Sequence, residues 1–89
     1  SGAEAKYLSA QLMYNAGEYA AAEKEILNFI DQSTPHAYWL ARSFILLSDV
    51  YVAMDKKLDA RQYLLSLQQN YHADDDIERM IQERLEKLK

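Results

Sequence analysis

Residues 37–54 read AYWLARSFILLSDVYVAM, a helical pattern with almost no polar side. Between Leu40 and Met54 the polar side chains are Arg42, Ser43, Ser48 and Asp49. Leu40, Phe44, Ile45, Leu46, Leu47, Val50, Tyr51 and Val52 are spread around the whole circumference. A helix that is apolar all round is buried on several sides. At this length it only approaches a membrane span, and Arg42 and Asp49 lie inside it, where a charge is costly in lipid. The stretch is therefore expected to be the central helix of an all-α fold, with other helices packed on more than one of its faces.

The flanking sequence supplies those helices. From Glu4 to Ala16, apolar or small residues fall at Ala5, Leu8, Ser9, Leu12, Met13 and Ala16, the spacing of one helix face. Glu4, Tyr7, Gln11, Tyr14 and Asn15 fall on the other sides. Gly17 then breaks the helix, because glycine takes the left-handed conformation cheaply. A second helix from about Glu18 to Asp31 carries the stripe Tyr19, Ala22, Ile26, Phe29 and Ile30, and Ser33-Thr34-Pro35 ends it. Thr34 is the expected cap of the central helix, with Pro35 at its first position. After the polar turn Asp55-Lys56-Lys57, a fourth helix over about Leu58 to Asn70 has the stripe Ala60, Tyr63, Leu64 and Leu67, extended by Tyr71. Asp74-Asp75-Asp76 opens the last helix, with Asp75 and Glu78 in capping-box spacing and Ile77, Met80, Ile81, Leu85 and Leu88 along one edge.

Charge and composition exclude several function classes. The 89 residues carry a net charge of −4, divided as −3 over residues 1–35, +1 over 36–73 and −2 over 74–89. No segment has the dense Lys/Arg face that nucleic acid or an anionic membrane surface requires. There is no cysteine, which removes disulfides and thiolate metal sites and leaves the redox compartment open. The start at Ser1-Gly2 without an initiator methionine reads as an excised piece, with any signal or anchor expected upstream.

Laying residues 5–31 over 43–69, a shift of 38, matches helix to helix and turn to turn. Leu8 falls on Leu46, Leu12 on Val50, Met13 on Tyr51, Ala22 on Ala60, Ile26 on Leu64 and Phe29 on Leu67. Helix, short turn, helix, repeated, is the pattern of a stacked solenoid. At these residues the chain resembles the tetratricopeptide repeat, whose pattern is W-x2-L-G-x2-Y, then A-x3-F, then P. Phe44, Leu47, Ser48 and Tyr51 stand at the first four places of the second unit, followed by Ala60 and Leu64. His72 replaces the proline and Asp55 the glycine of the turn. The first unit keeps Gly17, Tyr19 and Ala22, then Ile26, with Pro35 one residue late and a degenerate opening of Lys6, Ser9, Ala10 and Met13. The spacing exceeds the usual repeat of about 34 residues by roughly one helical turn, which is placed at His36 to Trp39.

The resemblance implies two helical hairpins, residues 3–35 and 36–72, and a capping helix over 74–89, forming one domain. It also implies a protein-interaction role in which the first helix of each hairpin lines a concave face that holds a peptide or a protein surface. By position that face is Glu4, Tyr7, Gln11, Tyr14 and Asn15 in the first unit and Arg42, Ile45, Asp49, Val52 and Ala53 in the second. Tyr7 and Tyr14 are its expected anchors, since tyrosine offers contact area at low entropic cost, although packing against the following helix accounts for them as well. The face lacks the Lys/Arg cluster that would hold a peptide's terminal carboxylate. A bacterial envelope or periplasmic setting is a further implication, because exported repeat chains of this look are common there.

The remaining constellations have plain structural readings. Asp49 either faces the groove or pairs with Arg42 or a tyrosine hydroxyl, since buried acids are seldom left alone. Asp74 to Asp76 lack the glycine and distal glutamate of a calcium loop and read as a helix cap. His36 and His72 lie in separate connections without a second ligand at metal spacing. Trp39 reads as a cover over the junction of the two units or as an exposed anchor. No phosphate loop, nucleophile elbow or paired carboxylates with a pocket are present, so no catalytic residue, metal or cofactor is expected. The alternatives to a groove binder are an end-piece or homo-oligomerisation module of a longer solenoid, and a piece of an enzyme whose catalytic part lies upstream.

Overall fold

The computed structural model describes residues 2–32 and 37–89, and every described element is helical: α1 (Gly2–Asn15), α2 (Tyr19–Asp31), α3 (Ala37–Ala53), α4 (Lys57–Asn70) and α5 (Ile77–Lys87). The expected roles of Ser33, Thr34, Pro35 and His36 lie outside the described residues. Helix α3 touches each of the other four. It has the buried residues to do so, with Ala41, Ser43, Ile45, Leu46, Leu47, Ser48, Val50 and Tyr51 pointing to several sides. Helices α1, α3 and α5 are successive neighbours, α2 lies against α1 and α3, and α4 lies against α3 and α5. The fold measures 33 × 31 × 19 Å, and its thin dimension is about two helix diameters, as two layers of helices require.

The connections within the two hairpins are superimposable bond for bond. Gly17 N–H donates to Tyr14 O at 3.0 Å and Glu18 N–H to Met13 O at 2.9 Å. Thirty-eight residues later, Asp55 N–H donates to Val52 O at 3.0 Å and Lys56 N–H to Tyr51 O at 2.7 Å. This paired closure satisfies the last carbonyls of a helix and needs one left-handed residue. Gly17 supplies it with φ 78° and Asp55 with φ 60°. Aspartate tolerates that region better than most residues, which is why the missing glycine leaves the turn unchanged.

Burial repeats at the same register. Ala3, Tyr7, Ala10, Ala22, Ile26 and Phe29 are buried in the first hairpin, and their equivalents Ala41, Ile45, Ser48, Ala60, Leu64 and Leu67 are buried in the second. Ala22 and Ala60 are both fully enclosed. Ser43 and Ser48 are buried polar residues, and each hydroxyl donates to a carbonyl of its own helix, that of Trp39 at 2.8 Å and Ile45 at 2.6 Å. No buried hydroxyl is thereby left unsatisfied at either place.

Helix α1 corrects the face read from its periodicity. Leu8 and Leu12, expected in the core, are 48% and 70% exposed, and Ala5 and Ala16 are exposed with them. The core is served by Ala3, Tyr7 and Ala10, on the opposite side. The other stripes stand as read: Ala22, Ile26 and Phe29 on α2, Ala60, Leu64 and Leu67 on α4, and Ile77 and Ile81 on α5. The last helix begins at Ile77, after the three aspartates, and Asp75 Oδ1 accepts the Ile77 N–H at 3.0 Å. Glu78 does not complete a capping box. Its carboxylate is held by Gln82 at 3.0 Å and Gln68 at 3.2 Å, which lower its pKa.

Candidate functional site

Eight of the ten residues expected on the binding face separate into three groups, and the other two, Glu4 and Ala53, are partly buried and exposed respectively. Tyr7, Gln11, Asn15 and Arg42 form a hydrogen-bonded chain, Tyr14, Asp49 and Val52 line a cleft, and Ile45 is core. Ile45 is 2% exposed and Tyr7 6%, so both pack inside the chain and offer a partner little surface. For Tyr7 this follows from its neighbours. Its ring lies 5.4 Å from that of Trp39, and the Arg42 guanidinium sits 5.0 Å from its centroid.

Arg42 is the hub of the first group. It rises from the first half of α3 and its Nη1 and Nη2 donate to the hydroxyls of Tyr38 at 2.9 Å and Tyr7 at 3.0 Å. Tyr38 in turn donates to Asp76 Oδ1 at 2.9 Å, ahead of α5, and Tyr7 donates to Gln11 Oε1 at 3.1 Å. Gln11 Nε2 continues to Asn15 Oδ1 at 3.0 Å. The guanidinium is also 5.8 Å and 5.9 Å from the Tyr38 and Trp39 ring centroids, within cation–π range. Burial by itself would lower the Arg42 pKa, and the hydrogen bonds to Tyr38 and Tyr7 more than reverse it, so the group is raised and stays charged. Its Nε is buried without a partner. Trp39, half-buried between Tyr7 and Tyr38 and packed on the core shared by the two hairpins, covers their junction.

The cleft is built by three helices and one residue pair from a fourth. It encloses about 680 Å³ and is lined by Tyr14 of α1, Ser48, Asp49 and Val52 of α3, Lys57 and Leu64 of α4, and Glu83, Arg84, Lys87 and the adjoining Leu88 at the end of α5. Asp49 does not pair with Arg42 or a tyrosine. Arg84 reaches it from α5 with two bonds, Nε to Oδ1 at 2.9 Å and Nη2 to Oδ2 at 3.1 Å, the planar fork that guanidinium and carboxylate favour. Both side chains are about a quarter exposed, so the pair forms part of the cleft floor. Burial, followed by the Asp49 charge, raises the Tyr14 pKa, which keeps its hydroxyl protonated and able to donate.

The first helices of the two hairpins supply four of the ten lining residues, and the other six come from α4, α5 and the adjoining Leu88. With α4 and α5 in place, Lys57, Arg84 and Lys87 gather at one opening, although the face of α1 and α3 alone holds no such cluster. The signal present in the sequence is the polar side of the last helix, away from its apolar edge, which carries Arg84 and Lys87. Elsewhere, exposed His72 lies beside the Gln69 carbonyl, and among the described residues no group of three or more His, Asp or Glu is placed to hold a metal ion. No described helix is long and apolar enough to cross a membrane.

Compared with protein-family models, curated proteins and solved structures, the chain matches none.

Proposed function

We propose that this chain is a protein-interaction module of the tetratricopeptide-like kind, and that the cleft between α1, α3 and α5 receives a peptide segment or a protrusion of a protein surface. The observation that carries the reading is the convergence of Tyr14, Asp49 and Val52 on a cleft of about 680 Å³, a size suited to a few side chains. Val52 is 41% exposed and offers an apolar contact, and the protonated Tyr14 hydroxyl offers a donor. Counting charges around the opening, Lys57, Arg84 and Lys87 against Asp49 and Glu83 leave +1, so a segment with an apolar side chain flanked by an acidic one is the best complement. Nothing in the lining resembles a nucleophile with its base, so binding without turnover is the role proposed.

A random-peptide display library panned against the 89-residue chain tests this reading. Selected peptides should lose binding to Val52→Glu and to Tyr14→Ala and keep it for Leu12→Glu, on the opposite side of α1. Peptides that bind all three variants equally would place recognition elsewhere. The alternative, an end-piece of a longer solenoid, is favoured by one observation, the exposed Leu8 and Leu12.

A further inference from the structure

Three of the chain's pairs of large aliphatic residues four positions apart, one each on α1, α3 and α5, belong together, and two of the three are covered. Leu46 and Val50 of α3 are buried against the first hairpin, and Ile77 and Ile81 of α5 are buried against the second. The third pair, Leu8 and Leu12 of α1, occupies the register of Leu46 and Val50 and faces solvent. The agreement extends beyond the pair. Among the described residues, all six buried positions of the first hairpin have buried counterparts in the second, and the five further buried residues of α3 are Ser43, Leu46, Leu47, Val50 and Tyr51. Their equivalents on α1 are Ala5, Leu8, Ser9, Leu12 and Met13, three exposed and two partly so. Among the described residues, burial thus differs between the hairpins along the side of α3 that the first hairpin covers.

We infer that the outer face of α1 is a docking surface for one further helical hairpin, stacked on it as α1 and α2 stack on α3. The inference uses the internal repeat and does not depend on the cleft. Its occupant is defined by the interface it continues, in which a small residue such as Ala22 stands beside an aliphatic such as Ile26 against the Leu46 and Val50 pair. Ala5 and Ser9 on α1 leave room for the same close approach.

A second copy of the chain fits this surface poorly. The face of the second hairpin that would cover α1 head to tail is closed by Ile77 and Ile81. Back-to-back pairing through α1 sets two ends of net charge −3 against each other. It also offers only one stripe of a 14-residue helix, well short of the roughly 800 Å² per partner in a stable interface.

The test is a chain in which residues 3–40 are placed directly ahead of Ala3, adding one hairpin at the 38-residue register. The added hairpin is expected to fold, seen as a proportional gain in helical circular dichroism. Leu12→Ala in the original unit should then lower the melting temperature by roughly 8 °C or more, against less than about 2 °C in the 89-residue chain. Equal small shifts in the two chains, or an added segment that stays unstructured, would overturn the inference. Light scattering on the 89-residue chain is expected to give a monomer. A dimer abolished by Leu12→Glu would assign the face to a second copy and overturn it as well.

Discussion

The two hairpins share a turn, a register and six buried positions, yet α3 is enclosed on several sides while α1 is enclosed on one. Sequence similarity between repeats therefore does not translate into similar energetic weight. A leucine at position 46 and one at position 8 belong to the same stripe, but only the first has neighbours on both sides. In a stacked array, burial is a property of the pair of adjacent units.

The largest effect that sharpens this contrast comes from matched truncations. Leu46→Ala should cost about 2–4 kcal/mol, for the lost transfer energy and the cavity left behind. Leu8→Ala, at the equivalent exposed position, should stay within about 0.5 kcal/mol. Chemical denaturation of the two variants measures both, and similar losses would break the comparison. A smaller pair of effects distinguishes the turns. Gly17→Ala should destabilise by about 1 kcal/mol because φ 78° strains any side chain. Asp55→Gly should gain a few tenths of a kcal/mol, relief of left-handed strain being partly offset by a freer unfolded chain.

The smallest effect is a pH dependence centred on tyrosines. Tyr51 is raised above its ordinary 10.0 by burial and by a hydrogen bond with Glu23, and its equivalent in the first hairpin is the non-ionising Met13. Tyr71 is pushed up to about 12 by burial and by the Asp75 carboxylate that accepts its hydroxyl. Raised folded-state values mean that the unfolded chain loses these protons first. The stabilisation is present in full below pH 10.0 and is lost as pH climbs through the folded values. Melting temperatures measured across the alkaline range should fall more gently for Tyr51→Phe than for the parent chain.

How far the sequence could be read depends on which stripe had competition. On α2, α4 and α5 a single apolar stripe faces a charged back, and the buried residues are those the spacing selects. Helix α1 has two apolar sides. Its core residue Tyr7 stands among polar neighbours and carries a hydroxyl that Arg42 engages, while Leu8 and Leu12 satisfy the helical spacing as well as any core pair. Register 38 resolves the ambiguity, since Tyr7 aligns with Ile45 and Ala10 with Ser48. The candidate cleft was legible only in part. Tyr14, Asp49 and Val52 were placed by the repeat, whereas Arg84 comes from outside it, 35 residues from its partner Asp49, and no local pattern announces that bond. The register also misses Tyr38, whose bond to Asp76 belongs to the start of α3 and has no counterpart in the first hairpin.

That last bond gives Arg42 a long reach, because one of its tyrosine partners, Tyr7, stands on the first helix and the other, Tyr38 of α3, is tied to Asp76 just before the last. Fraying from either terminus uncovers the same guanidinium and breaks a charge-assisted hydrogen bond. Units that would otherwise melt one after another are thus yoked into a common transition, and amide exchange at Ala10 and at Ile81 should slow or quicken together.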